Sequence, residues 1–319
     1  MNKNLIILAL IFLILFTVFK TYNYIESTEE TIVVGYLPSN HHSALFVADA
    51  EKIFEKEGIK VHLVPFRAGP ELIAAANRGK IDIGYCGISP VTIAINKGIS
   101  IKAIASVNQD GSGIVVQKNS NFSDISDLKG KTIAIPEKGS VQDVLLTDLL
   151  YKNNISIDEV KIIKSEVPFM PKSLIFNKSS AFIAWEPYVS IARIEGDGDV
   201  FMYSDDIWKD HPCCVVIARE EFIQEEPESI RRFLKAHIAA TNFINSNKNE
   251  TALIISRKLG TNVDVEREGL KHLDFIAVPS EEFILNSMKF IELQKQLGYL
   301  NRSTNETEIF NLEYLPDKT

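Results

Sequence analysis

The chain has 319 residues, 45% of them hydrophobic and 24% charged, with a net charge of −8 at neutral pH. That length supplies ample core for one large or two smaller α/β domains, and the composition excludes a disordered or low-complexity chain. No cluster of Lys and Arg offsets the acidity, which excludes a nucleic-acid surface, and one lone plus two adjacent cysteines exclude a disulfide framework.

The chain opens with fifteen residues from Leu5 to Phe19 of which only Thr17 is polar, preceded by Lys3. As a helix this run spans roughly 22 Å, and Lys20, Tyr22 and Tyr24 extend it toward the hydrocarbon thickness of a bilayer. No small-x-small cleavage site follows and no nearby cysteine accepts a lipid, so the run is read as an uncleaved anchor with Lys3 inside. Six N-x-S/T sequons, at Asn121, Asn154, Asn177, Asn249, Asn301 and Asn305, are compatible with an exported chain and common enough to arise by chance.

From Thr31 short β-branched runs alternate with amphipathic stretches. TIVVGYL reads as a strand, HHSALFVADAEKIFEKEG as a helix stopped by Gly58, and IKVHLVPF as a strand. PELIAAANRG follows as a helix with Pro70 in its first turn and Gly79 at its end. After IDIGY comes a helix with Ser89 as N-cap, Pro90 first and Gly98 as stop. The strand ISIKAIASV runs into NQDGSG, where glycines break the pattern. The same grammar resumes with GIVVQK, KTIAIP, the helix SVQDVLLTDLLYKNN, EVKIIK, a helical stretch at 171–177 and AFIAW. Such alternation predicts mainly parallel sheets covered by helices on both faces. After Cys214 long helices dominate, PESIRRFLKAHIAATNFINSN and SEEFILNSMKFIELQKQLG, and the end from Asn301 reads as a loose polar tail.

In open α/β sheets, ligands bind beyond the carboxyl ends of strands, where loops enter helices. The junctions at 39–42, 67–71, 85–90, 137–142 and 185–188 place Gly, Ser or Pro there, leaving free backbone N–H groups at a positive dipole end. Each alone is an ordinary capped turn; their recurrence points to a cradle for a polar or anionic group.

Taken together, GYLPSNHHSALFVADAEKIFEKEGIKVHLVPFRAG, ELIAAANRGKIDIGYCGISPVTIAINKG, DLKGKTIAIPEKGSVQD, AFIAWEPYVSIA and HPCCVVIAREEFIQEEPESIRRFLKAHIAATNFI resemble the solute-binding proteins of nitrate/sulfonate/taurine-type ABC importers. The resemblance runs from about Ile32 to about Asn245. It implies an α/β, two-lobed periplasmic-binding-protein type II fold, each lobe a mostly parallel sheet flanked by helices. Lobe one comprises 31–109 and a helical part at 214–300, lobe two 110–213, with 1–30 as the membrane segment, 301–319 as the tail, and crossovers near NQDGSG and HPCC. It implies a monomer without catalytic residues, metal or cofactor. That monomer captures a sulfonate/taurine-like or thiamin-pyrimidine-like solute and delivers it to an ABC permease with a separate ATPase subunit.

Within that frame the expected ligand-binding residues are His41, His42, Arg67, Gly69, Gly87, Ser89, Asp110, Ser112, Gly139, Ser140, Trp185 and Glu186. Glu186, at a strand tip, either meets a ligand donor across the cleft or caps its own helix or bridges to Lys138 or Arg67. Trp185 is a stacking surface or core filler. One of His41 and His42 is expected to meet the ligand and the other to face solvent, and the remaining histidines need not converge on a metal. Mixed signs at the rim, Glu71, Asp110 and Glu186 beside Arg67 and Lys138, favour a zwitterion or polar heterocycle.

The eukaryotic thiamin-pyrimidine synthases are similar over the stretch from His211, but they carry a denser cysteine cluster where only Cys213 and Cys214 stand here. Those two are expected as small buried thiols. A ligand-sensing ectodomain is a further alternative, and neither a GxSxG elbow nor a Walker loop is present.

Overall fold

A computed structural model describes residues 31–316. The apolar run at 5–19, and with it the expectation of an anchor, lies outside the described residues. Among those described, no helix is long and apolar enough to cross a membrane.

The strands, in chain order, are β1 (Thr31–Tyr36), β2 (Lys60–Pro65), β3 (Ile83–Gly87), β4 (Ile101–Asp110), β5 (Ser112–Gln117), β6 (Thr132–Ile135), β7 (Lys161–Lys164), β8 (Ala181–Trp185), β9 (Gly198–Tyr203), β10 (Pro212–Arg219) and β11 (Leu273–Phe275). The helices that matter below are α1 (Ser43–Ala50), α2 (Gly69–Asn77), α3 (Ile88–Asn96), α4 (Val141–Lys152), α5 (Tyr188–Glu195), α6 (Pro227–Ser246), α7 (Val263–Gly269) and α8 (Glu281–Gln296).

The strands form two sheets, ordered β11-β4-β10-β3-β1-β2 and β7-β6-β8-β5-β9. β1 pairs in parallel with β2 and β3, and β6 with β7 and β8. β10 runs against β3 and β4, and β5 against β8 and β9. One reversed strand, β10 or β5, therefore sits in the interior of each sheet, each a strand through which the chain has just crossed between sheets, and β11 adds a second reversed strand at the edge beside β4. Burial follows from that position: Cys213 through Ala218 on β10 are all buried, the mark of a central strand covered on both faces.

The local signals act as their chemistry requires. Pro70 lies in the first turn of α2, and Gly79 takes a φ of +64° just beyond its end. Ser140 caps α4 by accepting from the Asp143 N–H at 3.1 Å. Three expectations need correction. The first long helix is broken, because Lys52 adopts a left-handed φ of +56° between α1 and a short helical turn at Ile53–Lys56. α3 begins at Ile88 with Gly87 as its cap, so Ser89 lies inside the first turn. Residues from Asn301 to Pro316 are not loose: Phe310 bridges Ala103 on β4, and Ile309 and Phe310 are buried.

The two crossovers lie side by side. The first is Asp110–Gly111 between β4 and β5, with φ of +56° and +84°; the second contains Asp210 at +55° and leads through His211 into β10. They hydrogen-bond to one another. The Asp110 N–H donates to the His211 carbonyl and the His211 N–H to Asp110 Oδ1, each at 3.2 Å, while Gln109 Nε2 donates to the Asp210 carbonyl at 2.6 Å. Gly111 cannot carry a side chain: a Cβ there would lie 2.3 Å from Leu273 Cδ2 and 2.8 Å from the His41 ring.

The sheets face each other across a cleft whose walls touch. Ser39 Oγ donates to the Glu186 carbonyl and Ser89 Oγ to the Gly139 carbonyl, both at 2.8 Å. Tyr299 Oη donates to Asp143 at 2.8 Å, and Arg193 pairs with Glu268 at 2.7 Å. These contacts join residues far apart in the chain and hold the lobes together in a closed arrangement.

Candidate functional site

Between the lobes lies a cavity of about 50 Å³. Its wall is built from the five strand-to-helix junctions: Ser39, His41 and His42; Ala68, Gly69 and Pro70; Gly87 and Pro90; Glu137, Ser140, Val141 and Gln142; and Trp185. Leu37, Pro136, Cys213 and Cys214 complete it. Few drug-sized molecules fit so small a volume, so a solute enters only when the lobes part. The N-terminal ends of α2, α3 and α4 converge there, each with first-turn N–H groups that the helix itself does not use. Among the described residues, no Lys or Arg lines the cavity. Its one carboxylate, Glu137, is paired with Lys164.

Two side chains add neutral donors. His42 Nδ1 accepts from the Leu37 N–H at 3.1 Å, which leaves the proton on Nε2. Burial, helped by the neighbouring His41, pushes its pKa down to about 3, so it stays uncharged. Its ring packs against Tyr85 at 5.6 Å. Trp185 Nε1 is buried with no hydrogen-bond partner among the described residues. An orphaned indole N–H in a cavity wall is an expense that an incoming acceptor removes.

His41 lies against the floor of the cavity. Its Nε2–H donates to the Gly111 carbonyl at 2.7 Å, and its Nδ1 stands 3.3 Å from Cys213 Sγ, 3.8 Å from Cys214 Sγ and 3.0 Å from Asn108 Nδ2. All four residues are buried. Burial is the largest single influence on His41 and would lower its pKa, but the Cys213 sulfur, the Gly111 carbonyl and Glu186 together outweigh it, and the net direction is upward. The Cys213 thiol moves downward, drawn first by the Cys214 S–H and then by His41. Cys213 and Cys214 are free thiols, as their sequence context suggested, with sulfurs 3.7 Å apart. Neither histidine faces solvent, contrary to expectation, because the turn at Asn40–His42 is sealed beneath the crossover.

The remaining sequence candidates separate. Glu186 does not line the cavity: its carboxylate turns back to accept from the Ser190 N–H and Ser190 Oγ, both at 3.0 Å, at the start of α5. It is fully buried against Gly269, and burial raises its pKa to about 7. Of the alternatives open to Glu186, helix capping is the one the geometry takes. Arg67 is largely exposed and pairs with Glu71 and Glu166, outside the cavity. Ser89 and Gly139 bond to each other across the lobes. Asp110 belongs to the crossover, and Ser112 Oγ accepts from Gln142 behind the wall. His41, His42, Gly69, Gly87, Ser140 and Trp185 are brought together. Sequence reasoning missed Ser39, Gln142 and the two cysteines as lining residues. Ser39 and Gln142 stand inside the quoted junctions, whereas nothing local marks the cysteines.

Two sheets joined by paired crossovers around a cleft lined with helix N-termini define the two-lobed fold of periplasmic binding proteins. A ligand-binding component of an ABC-type import system from Staphylococcus aureus has the same fold with a TM-score of 0.80 at 21% identity, over 89% of this chain and 97% of that one. The periplasmic nitrate-binding protein of Synechocystis PCC 6803 matches with a TM-score of 0.78 at 17% identity, over 89% and 86%. The chain belongs to the NMT1-like family, whose model matches residues 26–256. A putative aliphatic sulfonates-binding protein of Bacillus subtilis (strain 168) is 31% identical over 65% of this chain, a match spanning 62% of that relative's length. The 4-amino-5-hydroxymethyl-2-methylpyrimidine phosphate synthase of Schizosaccharomyces pombe is 25% identical over 66% of this chain and 64% of its own.

Proposed function

We propose that the protein is the solute-binding component of an ABC importer, taking a small organic solute with an oxyanion group and a short apolar body. The observation that carries this reading is the lining: three helix N-termini, the neutral His42 N–H and the unpartnered Trp185 N–H converge on one cavity without a fixed cation. Donors of that kind stabilise an anion without the cost of desolvating a counter-charge. Leu37, Val141 and the prolines suit a short hydrocarbon portion, and the names of the sulfonate- and taurine-binding relatives agree with that chemistry. Glu137 at the wall, now paired with Lys164, can share its carboxylate with an amine, so a taurine-like zwitterion fits as well as a plain sulfonate.

Binding proceeds by separation of the lobes about Asp110–Gly111 and Asp210–His211, entry of the solute, and reclosure through the Ser39, Ser89 and Tyr299 bonds. The closed form is the one a permease, working with a separate ATPase, would recognise. The domain acts outside the cytoplasm, exported and held by the run at Leu5–Phe19, in keeping with the periplasmic relatives.

Thermal unfolding of the full-length protein against taurine, alkanesulfonates, nitrate, bicarbonate and thiamin pyrimidines tests the assignment. A solute at about 100 times its Kd adds about 2.7 kcal/mol to the folded state. A selective upward shift with sulfonates is expected. A shift with pyrimidines alone would replace the oxyanion reading, and no shift with any solute on folded, ligand-free protein would reject it.

A further inference from the structure

Cys213 and Cys214 are consecutive residues of a strand, so a regular pleat would send their side chains to opposite faces. It does not. The pairing of β10 with β4 shifts register between Pro212 and Cys214 and again between Cys214 and Val215. This irregularity, the kind that re-aims side chains beside functional sites, turns both sulfurs onto the Nδ1 of His41, which is 172 residues away from Cys213.

The geometry points to a binding site for a thiophilic d¹⁰ cation, with Zn²⁺ as its reference, held by Cys213 Sγ, Cys214 Sγ and His41 Nδ1 and open on the cavity side. The spacing fits. Four-coordinate zinc with Zn–S of about 2.3 Å and Zn–N of about 2.0 Å requires S···S of about 3.8 Å and S···N of about 3.5 Å in a tetrahedron. The observed separations are 3.7 Å between the sulfurs and 3.3 and 3.8 Å from nitrogen to sulfur. The imidazole is already oriented as a ligand, since its Nε2–H is committed to the Gly111 carbonyl and Nδ1 is left to face the thiols. Asn108 Nδ2 competes for the same Nδ1 at 3.0 Å and must yield it. Asn108 Oδ1 has no partner in its present pose, so the amide gives up little by turning.

His41, Cys213 and Cys214 all line the cavity, so the fourth position opens toward the space assigned above to the solute. Three protein ligands with an open fourth position is the pattern of a working rather than a purely structural zinc site. Participation of the solute as fourth ligand rests on the proposed function. The cation site itself does not.

The test uses the full-length chain, purified reduced and with its three thiols confirmed free. Zn²⁺ is titrated against a chromophoric chelator, and Co²⁺ is added in parallel to read thiolate-to-metal charge-transfer absorption. One equivalent of Zn²⁺ and a two-thiolate cobalt spectrum are expected. Cys213→Ser and Cys214→Ser should each weaken zinc by more than about 100-fold, since even outer-shell partners of a metal site cost about 10–100-fold. Cys86→Ser, a buried thiol outside the cluster, should leave it unchanged. Wild-type protein supplies a check that needs no variant: Zn²⁺ should slow alkylation of Cys213 and Cys214 in partly unfolding conditions, and not that of Cys86. Sub-stoichiometric zinc, equal zinc binding by the Cys213 and Cys86 variants, or alkylation indifferent to zinc would each overturn the site and leave the pair as buried structural thiols.

Discussion

Replacing Glu186 by glutamine isolates the consequence of burying a carboxylate at a helix start. In the folded protein its pKa is raised from 4.5 to about 7, with burial as the leading cause. Such a shift corresponds to about 3 kcal/mol. Because the folded value lies above the unfolded one, the native state binds more protons than the unfolded chain between about pH 4.5 and 7. Stability therefore falls as pH rises through that window and is level above it. Glutamine cannot ionise, but it accepts one hydrogen bond fewer at Ser190, a pH-independent loss of about 1 kcal/mol. Denaturant unfolding of both proteins at pH 5 and pH 8 separates the two effects. The wild type should lose about 2 kcal/mol more than Glu186→Gln between these pH values. Glu266, whose pKa is also raised to about 7, is present in both proteins and largely cancels in the comparison. Parallel pH profiles would refute the argument and mean that Glu186 is solvated or paired in the native state.

Four further outcomes follow from the same geometry. Gly111→Ala should destabilise by at least about 2 kcal/mol in thermal or denaturant melts, since it combines a φ of +84° with contacts at 2.3 and 2.8 Å; a neutral result would show that the crossover is not packed as described. Trp185→Phe keeps an aromatic ring and removes the N–H, so calorimetry should show solute affinity reduced by about tenfold, the worth of one hydrogen bond at an otherwise orphaned donor; unchanged affinity would take Trp185 out of the solute's reach. Tyr85→Phe strips the donor from His237 Nδ1, now at 2.9 Å, and should cost about 1–3 kcal/mol at pH 7. His237 itself, lowered to about 4 by burial, stays neutral in the fold, so stability should decline as pH falls from about 6.5 toward 4; a His237→Gln variant should flatten that decline.

Much of this molecule is written locally. Pro70, Gly79 and Ser140 punctuate helices through interactions that reach no further than a few residues, and alternating β-branched runs mark the strands between them. Those signals mark the order of elements and the five junctions that form the cavity wall, whereas the two crossovers at NQDGSG and HPCC are implied by the family resemblance. They also overreached: a continuous helical pattern across Lys52 concealed a left-handed break, and the polar composition after Asn301 concealed Phe310 pairing with Ala103.

Which way a side chain turns at a junction was decided only by packing. Glu186 reads equally as a cleft ligand or a cap until α7 is seen to bring Gly269 against it while the Ser190 donors satisfy its oxygens. Arg67 lies in the right loop and is held outside by Glu71 and Glu166. Most of all, no local rule joins His41 to Cys213 and Cys214. A strand's two-residue period predicts that adjacent thiols point apart, and only the register shift against β4, set by a partner about a hundred residues earlier in the chain, places both on one imidazole. The sequence by itself determined most of the elements and the ends that a proline, glycine or serine marks, because caps, turns and periodicity act over one or two turns. Tertiary structure alone decided which polar groups meet, because burial and cross-strand register are properties of the assembled sheets.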